Sequence, residues 1–203
     1  MTGGWRTAAQ RIAAALLVLL LASCAAPRLR PNAGLMAGQE QAERALRAES
    51  VWSLSGRLAI SGPGEGGSGS LQWTQDGAGF RFAVSAPVTG KTWTLSGDAG
   101  HAELSGLREQ PVHAADAAGL LQRELGWNVP VAELVDWVRG LRVPGPAKVV
   151  FREDGLPAEF VQNGWKIEYR DYDTARQPAL PVRIFASNGD YKVRLAIQHW
   201  DVP

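Results

Sequence analysis

The sequence predicts an α+β domain in which a long antiparallel sheet is interrupted once by two helices. Three observations predict it. Apolar residues alternate with polar ones from Trp52 to Leu104, with short turns between the runs. From Leu120 to Leu141 the apolar spacing changes to threes and fours. From Lys148 to Trp200 the alternation returns.

Residues 25–50 read as a tether followed by a helix. Pro27, Pro31 and Gly34 discourage regular structure, and from Gly38 the run Gln-Glu-Gln-Ala-Glu-Arg-Ala-Leu-Arg-Ala-Glu favours helix by propensity. Few large apolar residues are present there, so this helix is expected to pack weakly or fray. Trp52, Leu54, Gly56, Leu58 and Ile60 share one face of a first strand. Ser61–Ser70 reads as a Gly-rich connection, Leu71 and Trp73 open a second strand, and Asp76-Gly77 is a turn. Phe80, Phe82 and Val84, then Trp93 and Leu95, then Ala102 and Leu104 mark three more strands. Five strands joined by short turns form an antiparallel meander, because parallel strands need long crossovers.

Leu120, Leu121, Glu124 and Leu125 fall at helix spacing, and Gly126 suits a C-terminal cap. After Pro130 a second helix places Leu134, Trp137, Val138 and Leu141 on one face, with Gly140 and Pro144 ending it. Strands resume at Lys148–Arg152, Glu159–Gln162, Trp165–Tyr172, Val182–Ala186 and Lys192–Trp200. Asp154-Gly155, Asn163-Gly164 and Asn188-Gly189 read as hairpin turns.

The N-terminus carries a different message. Arg6 and Arg11 precede the unbroken apolar run Ile12–Ala22, which is too short to span a bilayer, since that takes roughly 20 residues. It fits the apolar core of a signal peptide. Leu21-Ala22-Ser23-Cys24 follows and resembles the bacterial lipobox, whose Cys takes a diacylglyceryl thioether and becomes the first residue of the mature chain. The organisation expected is therefore a signal peptide over 1–23, a lipidated flexible tether over 24–37 and a single domain over 38–203. Cys24 is the chain's one cysteine, so lipid attachment there leaves no disulfide and no Cys-containing metal site. Ala25, in place of Asp, is the sorting pattern of outer-membrane lipoproteins in enteric bacteria.

Several functions are disfavoured. Cleavage before Cys24 removes Arg6 and Arg11 and no acid, turning the formal charge from +1 to −1, which does not suit sequence-independent nucleic-acid binding. Gly62-Pro63-Gly64-Glu65-Gly66-Gly67 matches a dinucleotide-binding string but precedes a strand, where that motif needs a helix. Gly90-Lys91-Thr92 likewise lacks the rest of a phosphate loop, Ser85 standing where its first Gly belongs. His101, His113 and His199 give no pair at helical metal-binding spacing, and no Gly-x-Ser-x-Gly string occurs. Asp171 and Asp173 share a strand face but read better as a solvated edge or a hydrogen-bond anchor. No enzyme, metal or cofactor is expected beyond the covalent diacylglycerol and N-acyl chain on Cys24.

The region Trp52–Trp200 resembles the LolB family, outer-membrane lipoproteins that accept other lipoproteins from a periplasmic carrier. The resemblance rests on Trp52-Ser53-Leu54-Ser55-Gly56-Arg57-Leu58-Ala59, Leu71-Gln72-Trp73, Ala86-Pro87-Val88-Thr89-Gly90, Gly126-Trp127-Asn128-Val129-Pro130-Val131 and Leu134-Val135-Asp136-Trp137-Val138-Arg139-Gly140. It continues through Gln162-Asn163-Gly164-Trp165-Lys166-Ile167-Glu168-Tyr169, Tyr172-Asp173 and Leu180-Pro181. It implies an incomplete antiparallel β-barrel of about eleven strands, with helices covering the open side and a hydrophobic cavity for acyl chains. It also implies a LolA-type carrier and acylated lipoprotein cargo as partners, contact with outer-membrane lipid at the periplasmic face, and a monomer. Eight Trp, of which only Trp5 lies in the signal segment, offer large rigid apolar area for such a cavity. The candidate lining residues are Trp52, Leu58, Trp73, Phe82, Trp93, Leu121, Leu134, Trp137, Trp165 and Trp200. Pro87, Val88, Thr89 and Gly90 correspond to the family's membrane-contact loop. Val88 stands where members commonly have Leu, and Gly follows two positions later instead of one. A lipid-binding or envelope-assembly lipoprotein on the same fold stays open as the alternative, since fold alone does not fix function.

Overall fold

The computed structural model of the chain describes residues 28–63, 66–86 and 90–202. The signal segment, Cys24 and the loop residues Pro87, Val88 and Thr89 lie outside the described residues.

The first five strands are β1 (Val51–Ser61), β2 (Gly67–Asp76), β3 (Gly79–Ser85), β4 (Thr92–Gly97) and β5 (Ala102–Ser105). In β1 and β2 every second residue is buried, so one face of the meander points to a core and the other to water. A short strand β6 (Val112–Ala114) follows and pairs with β5. Its three residues, Val-His-Ala, carry too little alternation to be read from sequence. The second strand starts at Gly67, inside the expected Gly-rich connection. Gly69 explains why: a Cβ there would meet the Ser85 carbonyl oxygen at 2.5 Å, so glycine lets β2 and β3 close up.

Strands β7 (Lys148–Phe151), β8 (Pro157–Gln162), β9 (Trp165–Asp173), β10 (Leu180–Asn188) and β11 (Tyr191–Asp201) complete the sheet. Their spatial order is β6-β5-β4-β3-β2-β1-β11-β10-β9-β8-β7, antiparallel throughout. The first and last strands thus pair at the centre, while β6 and β7, adjacent in sequence, sit at opposite edges. The chain between them has to cross the concave face to connect those edges. That crossing is where the two middle helices fall, which makes them a cover over an open half-barrel.

The two middle helices are α2 (Ala117–Leu125) and α3 (Val131–Trp137). Asp116 caps α2 by accepting from the Gly119 N–H, and Gly126 ends it in the left-handed conformation, as its position in the sequence suggested. Helix α3 stops earlier than the apolar spacing implied. The chain turns through Gly140 (φ +76), and Leu141 leaves the helical face to pack with Leu46 and Leu180.

Helix α1 (Ala33–Ala48) precedes the sheet, capped by Asn32. It starts five residues before Gly38, within the stretch expected as tether, and it does not pack weakly. Leu46 is 2% exposed. Gln39 donates to the Gly140 carbonyl at 2.9 Å, Arg142 grips Glu43 at 2.7 and 3.0 Å, and Arg47 bonds Asp136 at 3.1 and 3.2 Å. Arg139, 8% exposed, donates to the carbonyls of Leu46 and Glu49 near the end of α1. A helix poor in large apolar residues is thus fastened mainly by charged hydrogen bonds, which apolar counting misses.

These contacts have a pH signature. Burial pushes the Glu43 carboxyl up, but bonds from Arg142 and Gln39 outweigh it and hold its pKa below the ordinary 4.5. A depressed folded-state pKa contributes stability that is complete above 4.5 and is lost as pH falls through the lower value. Glu43→Gln is expected to cost roughly 1.5–3 kcal/mol at neutral pH and to flatten part of the acid limb. Thermal melts from pH 7 to pH 3 check this; an acid limb identical to wild type would count against it.

Candidate functional cavity

An apolar cavity of about 50 Å³ lies between the concave face of the sheet and the helical cover. Its floor is formed by Leu58 and Ile60 of β1, Leu71 and Trp73 of β2, Phe82 of β3, Trp93 and Leu95 of β4, and Ile167, Ile184, Ala186, Val193 and Leu195 from β9 to β11. Its roof is Leu121 of α2, Trp127 and Val129 of the connection, and Val131, Leu134, Trp137 and Val138 in and after α3. None of these walls carries an ionisable group. Such a lining takes apolar matter out of water.

Aromatic rings run in unbroken contact from Trp200, beside the cavity, across its floor to Trp127 in the roof. Centroids are 5.6 Å apart for Trp200–Trp52, 5.2 Å for Trp52–Trp73, 5.4 Å for Trp73–Phe82, 5.9 Å for Phe82–Trp93 and 5.7 Å for Trp93–Trp127. Their polar edges are satisfied at the side. The Trp73 indole donates to Gln75 at 3.2 Å and the Trp200 indole to the Pro181 carbonyl at 2.9 Å.

Of the candidate lining residues, Leu58, Trp73, Phe82, Trp93, Leu121, Leu134 and Trp137 border the cavity. Trp52, Trp165 and Trp200 do not. Trp52 is buried beside Trp73 with the Arg139 guanidinium 5.3 Å above its ring. Trp165 lies against Trp137 at 6.3 Å, and Trp200 is half-buried near the α1 cluster. All three face the same side of the sheet as the lining residues but stand farther along their strands. Sequence reasoning missed Trp127. It lies in the connection after Gly126, where an apolar side chain has no periodicity to announce it. The signal was available in Gly67: a Cβ there would stand 2.7 Å from the Trp127 ring, so the glycine makes room for that indole.

Trp137 ties the roof to the sheet. Its indole donates to Gln162 at 3.4 Å, and its carbonyl accepts from the buried Tyr169 hydroxyl at 2.9 Å. Burial raises the Tyr169 pKa well above 10.0, which keeps that hydroxyl a donor. Gln162 also exchanges bonds with the Val143 backbone, at 3.0 Å to its N–H and 2.7 Å to its carbonyl.

The loop after β3 has described ends. Ala86 N–H bonds the Lys91 carbonyl at 2.9 Å, and Gly90 N–H bonds the Ala86 carbonyl at 3.0 Å. Gly90 has φ +65, so the turn requires glycine at that position. Asp173 accepts from the Ala175 N–H at 3.0 Å and Asp171 from the Tyr172 N–H at 3.0 Å, hydrogen-bond anchors as expected.

Comparison with known proteins agrees with this architecture. The family described as "Outer membrane lipoprotein LolB" matches residues 50–200. An outer-membrane lipoprotein LolB of Xanthomonas campestris pv. campestris is 43% identical over 184 residues, covering 87% of this chain and 84% of that protein. One from Xylella fastidiosa is 37% identical over 153 residues, covering 74% of this chain and 70% of the relative. A crystal structure of a LolA superfamily protein from Nitrosomonas europaea superposes with a TM-score of 0.52 at 10% identity, over 83% of this chain and 93% of that one, which supports the fold alone. By its sequence, this chain belongs to the LolB family of outer-membrane lipoproteins.

Proposed function

We propose that the protein accepts acylated lipoproteins from a LolA-type periplasmic carrier into the cavity beneath α2 and α3 and inserts them into the outer membrane, to which a lipid on Cys24 holds it. The observation that carries this reading is the wholly apolar lining between sheet and cover. Exposing an acyl chain to water costs about 0.8 kcal/mol per methylene, so a chain passes between proteins only from one apolar site to another. Direction without an energy source needs successively tighter sites, and a tenfold step is about 1.4 kcal/mol, which is roughly two methylenes. Mixing the protein with a lipoprotein-loaded carrier and following the acylated cargo tests the reading. Binding of free fatty acid with no cargo transfer would point instead to a general lipid-binding lipoprotein.

The loop carrying Val88 is assigned the membrane step. It joins β3 to β4, whose Phe82 and Trp93 are in the cavity floor. Val88→Glu is expected to leave cargo acceptance within about twofold of wild type and to reduce delivery to liposomes tenfold or more, since a carboxylate resists entry into the bilayer. Normal delivery by this variant would remove the loop from the mechanism.

A further inference from the structure

The convex face of the sheet carries a second feature. Arg57 of β1, Arg183 of β10 and Arg194 of β11 surround a groove of about 390 Å³ floored by strand backbone and edged by Ser68, Ser70 and Phe185. Among the described residues, no acidic side chain lines it. Cross-strand register explains the grouping. One outward row runs Ser85, Ser70, Arg57, Ala196, Arg183 and Asp171; the next runs Ser68, Ala59, Arg194, Phe185 and Glu168. Arg57 and Arg183 make no ion pair among the described residues. Arg194 stacks on the Phe185 ring at 5.9 Å, and Arg170 stacks on the same ring at 5.2 Å. The acids of these rows do not neutralise the groove: Glu159, next to Glu168 along the second row, pairs with Lys166 and Arg28. Glu168 is already paired with Lys166 and Arg170; Asp171, the cross-strand neighbour of Arg183, accepts from the Tyr172 N–H and forms no ion pair with Arg183.

The tether says which surface meets this groove. Leu29 pairs with Phe151 at the end of β7, through bonds of 2.7 and 3.0 Å. By strand direction that is the end of the sheet where β1 begins. The β3–β4 loop is at the opposite end, because β3 runs parallel to β1 and finishes at Ser85. From Cys24 to Leu29 is five residues, a reach of at most about 18 Å. The 11 residues of β1 span roughly 36 Å. An anchor at one end and a loop at the other touch the same membrane only when the strands lie within about 30° of its plane. In that posture one face of the sheet is down, and the concave face is already covered by α2 and α3.

We infer that the convex face of β1, β10 and β11 lies on the membrane, with the phosphate headgroups of anionic phospholipids in the groove bounded by Arg57, Arg183 and Arg194. This orientation rests on the anchoring and delivery roles proposed above. Lipid phosphates supply the density of negative charge that three guanidinium groups on one face attract.

The test uses the lipidated full protein reconstituted in vesicles of phosphatidylcholine, with or without phosphatidylglycerol. A cysteine introduced by Ala196→Cys, midway between Arg57 and Arg183, carries a fluorophore, and the lipids carry a nitroxide on the headgroup. Strong quenching is expected with phosphatidylglycerol and weak quenching without it. The face-down population should fall about fivefold for each arginine changed to Gln, while the triple Arg→Lys variant keeps quenching. Equal quenching in the triple Gln variant, or none in phosphatidylglycerol vesicles, overturns the inference. So does protection of the probe only when a carrier protein is added. Cargo transfer followed in the same vesicles separates the two readings: transfer without quenching refutes the orientation alone, and quenching without transfer refutes the delivery role.

Discussion

Replacing Trp137 by alanine lowers the stability of the domain by about 3–5 kcal/mol and its Tm by about 10 °C or more. Trp137 is among the largest fully buried side chains, 1% exposed, at the C-terminal end of α3. Its ring fills space between the cover and Trp165 and borders the cavity, so truncation enlarges an existing void that the rigid sheet cannot close. The polar loss is smaller. Gln162 keeps both bonds to the Val143 backbone, and the Tyr169 hydroxyl bonds the backbone carbonyl of residue 137, which alanine retains. Trp137→Phe should therefore cost about half as much or less, because most of the ring volume stays. Denaturant melts of the two variants check this ordering. Equal losses would mean that the indole N–H, and not the volume, holds the cover in place.

That hydrogen-bonded end of α3 marks where reading the sequence stopped working. The strands were legible because their chemistry is periodic. Trp52, Leu54 and Leu58 alternate with polar residues because one face of β1 meets the core and the other meets water. The half-barrel needed more than periodicity, since nothing in β6 or β7 alone says that they sit at opposite edges. Polar fastening was the main omission. Gln39, Glu43 and Arg47 look like an exposed charged helix face, yet their partners Gly140, Arg142 and Asp136 arrive from about a hundred residues away, which no local pattern encodes. The cavity wall was legible where a large apolar residue lay on a periodic element, as with Trp73, Phe82 and Leu121. Trp52, Trp165 and Trp200 stand beside that wall; size and apolarity do not say how far along a strand a cavity reaches.

Ala186→Leu is expected to leave the fold intact and to reduce cargo acceptance tenfold or more. Ala186 is 4% exposed on β10 and contributes the smallest side chain to the cavity floor. The cavity of about 50 Å³ is a third of the roughly 150 Å³ that holds a benzene ring. On the proposed function, an acyl chain would enter only if α2 and α3 moved away from the sheet, with this space as the seed around which the site opens. Leucine adds three carbons to that seed. Filling it recovers at most about 1.2 kcal/mol, at roughly 24 cal/mol per Å³, and overpacking costs about 1–3 kcal/mol. The net is a loss of at most about 2 kcal/mol when the void is filled, which leaves the protein folded. Function has no such compensation. The added carbons occupy room that three methylenes of cargo would use, at about 0.8 kcal/mol each, and the closed state gains contacts that the open state lacks. The expected result is a folded protein that takes cargo from the carrier at least tenfold less well. Equilibrium unfolding and the cargo-transfer assay, run on the same preparation, separate the two terms. Normal transfer by a well-folded Ala186→Leu protein would show that acyl chains bind elsewhere and that the cavity is only an imperfection in the core.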